Sequence, residues 1–181
     1  VPGAVAGWMT LHERFGKLPL EEVMALAIRY AEEGYPVTPN ISRLWQEAFE
    51  NYSKYRDRPE FQGWFDTFAP NNTWLKPGEM FRCPDMAKTL KEIAATKGES
   101  FYRGAIAEKI DAFFKKHNGF LTKEDLAAFK PEWVDPISVN YHGVDVWELP
   151  PNGHGITVLM ALQILKDMKL GERDCVDTMH K

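Results

Sequence analysis

Side chains able to do chemistry are thinly spread along this sequence, and their spacing limits what each could support. His12-Glu13 does not continue into HExxH, and His117, His142, His154 and His180 have no histidine partner three or four residues on. No two of them share a helix face in the way a zinc site requires. Cys83 and Cys175 are far apart and lack both CxxC spacing and a histidine at ligand spacing. Neither a metal centre nor a disulfide framework follows from them, and the redox compartment stays open. No metal and no cofactor is assigned. Glu21-Glu22, Glu32-Glu33 and Glu124-Asp125 are adjacent carboxylates, but neighbours at i and i+1 on a helix do not face each other, so they read as solvated helix ends rather than an acid/base pair.

Gly153-His154-Gly155 falls after a strand pattern and before a helical one, but the third glycine position of GxGxxG is Val158 and no GK[ST] follows. The simpler expectation is that Pro150-Pro151 stops the strand, Asn152-Gly153 turns, and Gly155 lets the helix come close to the sheet. Free amides at that helix start could also meet an anion. His154 reads as a loop residue. There is no GxSxG, Thr122 is accounted for as a helix cap and Cys83 by its place before Pro84. The residues alone identify no nucleophile and no catalytic site.

The elements that would position these groups are mostly helical. The first helix opens behind Pro2-Gly3, carries Val5, Trp8, Met9, Leu11 and Phe15, and stops near Gly16. A second has Pro19 as its first residue and Gly34 just past its end. Thr38-Pro39 caps and opens a third, through Ile41, Leu44, Trp45, Ala48, Phe49 and Tyr52, fading by Arg58-Pro59. From 62 to 82, rings alternate with Pro, Asn and Gly, which predicts a loop pinned by aromatics. Further helices are expected from Pro84 to about Thr96 and, after a Phe101-Tyr102-Arg103-Gly104 link, from Ile106 to Asn118-Gly119. Thr122 to Asp125 has the capping-box form. Ile137 to Leu149 alternates as one hairpin turning at His142-Gly143, and Ile156 to Met168 is a helix apolar on nearly every face.

With 44% hydrophobic and 27% charged residues the chain has a globular balance, not that of a disordered tail. A free-standing chain of this length buries about 70% of its unfolded surface, so six Trp, eleven Phe and six Tyr are first of all core material. The net charge of −4 has the wrong sign for affinity built on neutralising phosphates, which argues against a nucleic-acid partner. The longest apolar run, Ile156 to Leu165, is too short for a membrane span. A lone hairpin is marginal and needs more sheet. With no initiator Met, no leader and a helical pattern just beginning at the end, the sequence reads as an excerpt: one partial α+β domain over 1–181, with no internal boundary.

Several stretches together resemble the gamma-glutamyltranspeptidase family: VPGAVAGW at 1–8, PLEEVMALAIRYAEEGYPV at 19–37, FYRGAIAEKI at 101–110, GFLTKEDLAAF at 119–129 and PISVNYHGVDVWELPPNGHG at 136–155. They run in order along nearly the whole chain and are interrupted mainly between Asn51 and Trp74. The resemblance implies an N-terminal-nucleophile hydrolase with a four-layer αββα core, made as a precursor that cuts itself into a large and a small subunit. It further implies a nucleophilic Thr at the new N-terminus of the small subunit, whose α-amino group serves as base, and a covalent γ-glutamyl ester passed to water or to an amine. Backbone amides would stabilise the oxyanion.

On that resemblance the sequence corresponds to the later part of the large subunit. Its partners are the rest of that subunit, the small subunit and a small γ-glutamyl substrate such as glutathione. The family's arginine that grips the substrate carboxylate lies upstream of VPG, and the nucleophile lies beyond the end. No residue here is therefore given a catalytic role and the fragment alone is expected to be inactive; for VPGAVAGW the expectation is that Pro2-Gly3 starts a helix and Trp8 packs in the core, the alternative implied by the resemblance being that this stretch lies near the site. The PPNGHG loop, with PEWVDPIS before it, resembles the acylase-like branch more than the glutathione-cleaving branch, whose loop is richer in Ser and Gly. A cephalosporin or glutaryl amide acylase is the alternative within the same mechanism, and a catalytically inactive scaffold relative is the alternative outside it.

Overall fold

The computed structural model describes residues 1–180 as an α+β chain, mostly helical, with two small antiparallel sheets. Its Cα packing separates two compact units, Val1–Pro131 and the residues from Glu132 onward.

In the first unit α1 (Ala4–Phe15) ends at Gly16, whose N–H donates to the His12 carbonyl at 2.7 Å. Val5 is buried while Trp8, Leu11 and Phe15 are about half exposed, so the unit covers one face of this amphipathic helix. α2 (Leu20–Glu33) begins one residue later than expected: the Pro19 carbonyl accepts the first helical bond, from Val23 N–H at 3.1 Å, which makes Pro19 the cap rather than the first helical residue. Gly34 ends it with φ of 93°.

Thr38 caps α3 (Pro39–Ser53) as expected, its hydroxyl accepting from Ile41 N–H. That helix closes at Ser53, five residues before Arg58, in a run of turns. The stretch expected to be only loop holds α4 (Gln62–Phe68), preceded by a 3-10 turn at Pro59–Phe61. It also holds the short strand β2 (Met80–Phe81), paired with β1 (Tyr35–Pro36). The two corrections have different causes: β2 exists through pairing with a strand more than 40 residues away, whereas α4 is hidden by its shortness. Trp64, Phe65 and Phe68 do share a helical face, but over seven residues the period is too brief to stand out from the surrounding Pro, Asn and Gly.

α5 (Pro84–Thr96) follows its sequence bounds, and Lys97 and Gly98 leave it with positive φ. Instead of an irregular link, Glu99–Arg103 forms a one-turn helix, α6, stopped by Gly104. α7 (Ala105–Lys116) and α8 (Lys123–Ala128) complete the unit, and α8 carries the reciprocal capping box of Thr122 and Asp125. The core joins Val5, Leu20, Met24, Ile93, Ala94, Tyr102, Ile106, Ala107 and Leu126, with Leu126 wholly buried. A second, aromatic cluster links α3, α4 and the small ladder: Trp45 lies 4.8 Å edge-on to Phe81, which stacks on Phe68 at 5.7 Å.

In the second unit β3 (Ile137–Tyr141) and β4 (Val144–Glu148) form the expected hairpin. His142 and Gly143 have φ of 50° and 87°, both positive as a two-residue turn of matching twist requires. Asn140 reinforces it, donating to Asp145 Oδ1 at 2.8 Å and accepting from Gly143 N–H at 3.1 Å. α9 (Gly155–Leu165) packs on both strands and ends three residues before Met168, and α10 (Val176–His180) follows. Only Leu159 of α9 is buried; Val158, Met160 and Ile164 remain substantially exposed.

Candidate functional site

Three of the five family-like stretches meet at the start of α1. Gly3 is its N-cap and has no side chain with which to accept from the free amides of the first turn. That acceptor comes from Tyr102, on α6: its hydroxyl oxygen accepts from Ala6 N–H at 3.0 Å and its proton is donated to the Pro2 carbonyl at 2.8 Å. The Tyr102 ring is 4% exposed and stacks on Phe129, just after α8, at 5.7 Å and 17°. Phe129 in turn lies against Gly3, where an added Cβ would sit 2.9 Å from its ring tip. VPG, FYRG and LAAF thus form one clamp. No local pattern could have marked Tyr102 for this role, because its partners are 96 and 100 residues away.

Farther along α1 a cleft of about 650 Å³ runs between α1 and α2, lined by Met9, His12, Glu13, Leu20, Lys97 and Glu99 among others and by no residue of the clamp. His12 Nε2 lies 2.8 Å from the Leu18 carbonyl. A carbonyl only accepts, so Nε2 carries the proton and the ring closes the turn between the two helices rather than offering a base there. Glu99 pairs with Arg103, which also donates to the Ala127 carbonyl. Trp8, half exposed on α1, belongs to the same helix as the clamp.

The other candidates are placed as structural groups. Glu21 and Glu22 lie in the first turn of α2, and Glu32 pairs with Lys91 of α5. Asp125 is held below the usual carboxylate range by the Thr122 backbone N–H, 2.9 Å from its Oδ2, and by the Thr122 hydroxyl. Asp111, nearly buried on α7, is likewise lowered by a hydrogen bond from Lys115 at 2.7 Å and then by Lys123 N–H at 3.3 Å. His117 packs on Phe113, and His142 sits in the hairpin turn against Tyr141. His180 lies in α10. Cys83 and Cys175 are both free thiols. Among the described residues no group of three or more His, Cys, Asp or Glu is arranged to hold a metal ion.

In the second unit the PPNGHG segment is a turn, with His154 as the cap of α9. A Cβ on Gly155 would sit 2.6 Å from Glu148 Oε2 and 2.7 Å from Glu148 Cβ, so this glycine is what allows the helix start to approach the end of β4. The same contact puts a carboxylate of the chain beside the first turn of α9, which disfavours a second negative charge there. Val158 lies inside α9, so no dinucleotide loop is formed. Among the described residues no helix is long and apolar enough to cross a membrane.

A family profile described as Gamma-glutamyltranspeptidase matches residues 1–181. The glutathione hydrolase proenzyme of Pseudomonas aeruginosa is 34% identical over 165 residues, covering 91% of this chain and 28% of that protein. Among solved structures, one titled cephalosporin acylase from Bacillus halodurans superposes with a TM-score of 0.94 at 50% identity, covering 99% of this chain and 34% of the other. The gamma-glutamyltranspeptidase of Helicobacter pylori superposes with a TM-score of 0.86 at 28% identity, covering 99% of this chain and 51% of the other. The chain thus spans about a quarter to a half of the proteins it resembles. Since sequence and backbone agree from one end to the other, this chain belongs to the gamma-glutamyltranspeptidase family.

Proposed function

We propose that this chain is part of a self-processing amide-cleaving enzyme that releases or transfers γ-glutamyl groups, and that within it these residues are large-subunit scaffold beside the substrate site. The observation that carries this reading is the family match along residues 1–181, joined to relatives named as proenzymes. In the reaction so assigned, a Thr at the head of the small subunit attacks the amide carbonyl. The C–N bond breaks, the amine leaves with a proton relayed by the Thr α-amino group, and an ester forms. Water or an acceptor amine then takes the acyl group and restores the Thr. The rest of the large subunit and the small subunit are the partners, and the hairpin and α9 belong to the sheet-and-helix layers of a four-layer αββα core.

A second reading, an acylase acting on cephalosporin-type or glutaryl amides, is favoured by the 50% identity to the Bacillus halodurans structure against 28% to the Helicobacter pylori enzyme. Both readings use the same chemistry and differ in the acyl group admitted. Denaturing mass measurement of the full-length product over time, with a γ-glutamyl anilide and a glutaryl amide assayed in parallel, separates them. Self-cleavage with γ-glutamyl turnover is the expected result. Cleavage with glutaryl turnover alone would assign the acylase, and an uncut, inactive chain would mark an inactive scaffold. The 181 residues by themselves are expected to turn over neither probe.

A further inference from the structure

We propose that the first unit carries a binding site for a small, doubly charged oxyanion, in a cleft where α1 meets the turn between α5 and α6 and the segment that follows α8. The cleft measures about 210 Å³, and its polar groups come from Thr10, Lys97, Glu99, Arg103 and Lys130. Three cations thus meet one carboxylate. Both Glu99 oxygens accept from one Arg103 nitrogen, at 3.1 and 3.2 Å, and the other terminal nitrogen donates to the Ala127 carbonyl at 3.2 Å. Arg103 and Glu99 satisfy each other. Lys97 and Lys130 are left with no ion-pair partner among the described residues. In a chain of net charge −4, two uncompensated ammonium groups lining one cleft repel each other and concentrate positive potential there, which a divalent oxyanion relieves.

The backbone holds these groups in place, in one case under strain. Lys97 follows α5 with φ of 49°, in the left-handed region where a helix usually ends on glycine, and the glycine comes one residue later, at Gly98 with φ of 81°. A lysine at such a position is strained relative to glycine. The turn lies directly against α1, since a Cβ on Gly98 would sit 2.9 Å from Met9 Cγ. Lys130 stands between Phe129, whose ring stacks on Tyr102 at 5.7 Å, and Pro131, which restricts the backbone of the residue before it. Thr10 adds a hydroxyl that its own helix does not use. Thr67, Thr89 and Thr96 each donate to the carbonyl four residues back, at 2.8, 2.9 and 2.7 Å, whereas the Thr10 hydroxyl has no partner among the described residues. Two ammonium groups and a free hydroxyl suit a ligand that presents several acceptor oxygens and negative charge: phosphate, or a short dicarboxylate.

The test is calorimetric titration of the full-length protein with inorganic phosphate and, separately, with succinate, at fixed ionic strength in chloride. Wild type is compared with Lys97→Gln/Lys130→Gln, with Lys97→Gly, and with Lys109→Gln/Lys116→Gln, which removes the same charge from exposed positions on α7. We expect saturable binding of one equivalent, weakened about tenfold or more in the cleft double variant and unchanged in the α7 control. Lys97→Gly should bind more weakly yet unfold at a higher denaturant midpoint, because it removes the ammonium group and the strain together. Saturation by phosphate alone assigns a tetrahedral ligand, by succinate alone a dicarboxylate, and by both a site selective for charge. Absence of saturable heat with either anion would overturn the proposal. So would equal weakening in the α7 control, or wild-type affinity in Lys97→Gly.

Discussion

Asp111 shows how a single titratable side chain ties distant backbone to a helix. It accepts from Lys115 on its own helix and from the Lys123 amide that opens α8, and both bonds favour the carboxylate, lowering its pKa from the ordinary 3.8. A group whose pKa is lower folded than unfolded adds stability above its unfolded value and loses it as pH falls through the folded one. Acid titration of the intact protein should therefore show stability falling below about the ordinary aspartate range, with Asp125 contributing in the same direction. Asp111→Asn should be less stable near neutrality and flatter across that acid range; an unchanged acid profile would count against the assignment. Gly34 gives a second residue-level expectation. Its φ is 93° and a Cβ would sit 2.8 Å from the Phe81 carbonyl oxygen, which is backbone and cannot swing aside. Gly34→Ala should cost about 1–3 kcal/mol of stability, read from the denaturant midpoint at constant slope.

Among the elements, α8 is the smallest with a defined cap and a wholly buried anchor. Thr122→Ala should destabilise by about 1 kcal/mol through the lost cap, and Leu126→Ala by about 2–5 kcal/mol because Leu126 is fully buried among packed neighbours. Equilibrium unfolding of both variants checks the order; a larger loss from Thr122→Ala would contradict it. The cap, like the start of α3, the bounds of α5 and the hairpin, was legible in the sequence because each depends on residues close in sequence, a few positions apart at the caps and at most eleven across the hairpin. What was not legible depends on remote partners or on very short runs. β1 and β2 are two residues each and exist because Tyr35 meets Phe81. α6 has one turn and no measurable period, and its Tyr102 matters through Pro2 and Ala6. The family resemblance lies in motifs in order, while the residues taken singly disclose no active site, and the close approach at Gly155 follows from the strand-turn-helix pattern.

For the molecule as a whole, the surface is what remains to be accounted for. Val144, Trp147 and Leu149 of the hairpin region are each at least 60% exposed, and Met160 and Ile164 of α9 are close to that. On α1, Leu11 and Phe15 are more than half exposed. Such apolar area on 181 residues predicts that the excised chain self-associates in a concentration-dependent way, and light scattering coupled to size exclusion tests it: a monodisperse monomer across a hundredfold dilution would refute the expectation. The Tyr102 clamp also has a consequence in time. Ribosomes add roughly 5–20 residues per second, so the 96 residues between Ala6 and Tyr102 take about 5–20 s to be made. A twelve-residue helix is marginal on its own and re-forms in well under a millisecond. Through all of that interval α1 flickers without its cap, and the nascent segment leading into it takes its final course only after the chain has grown through α6.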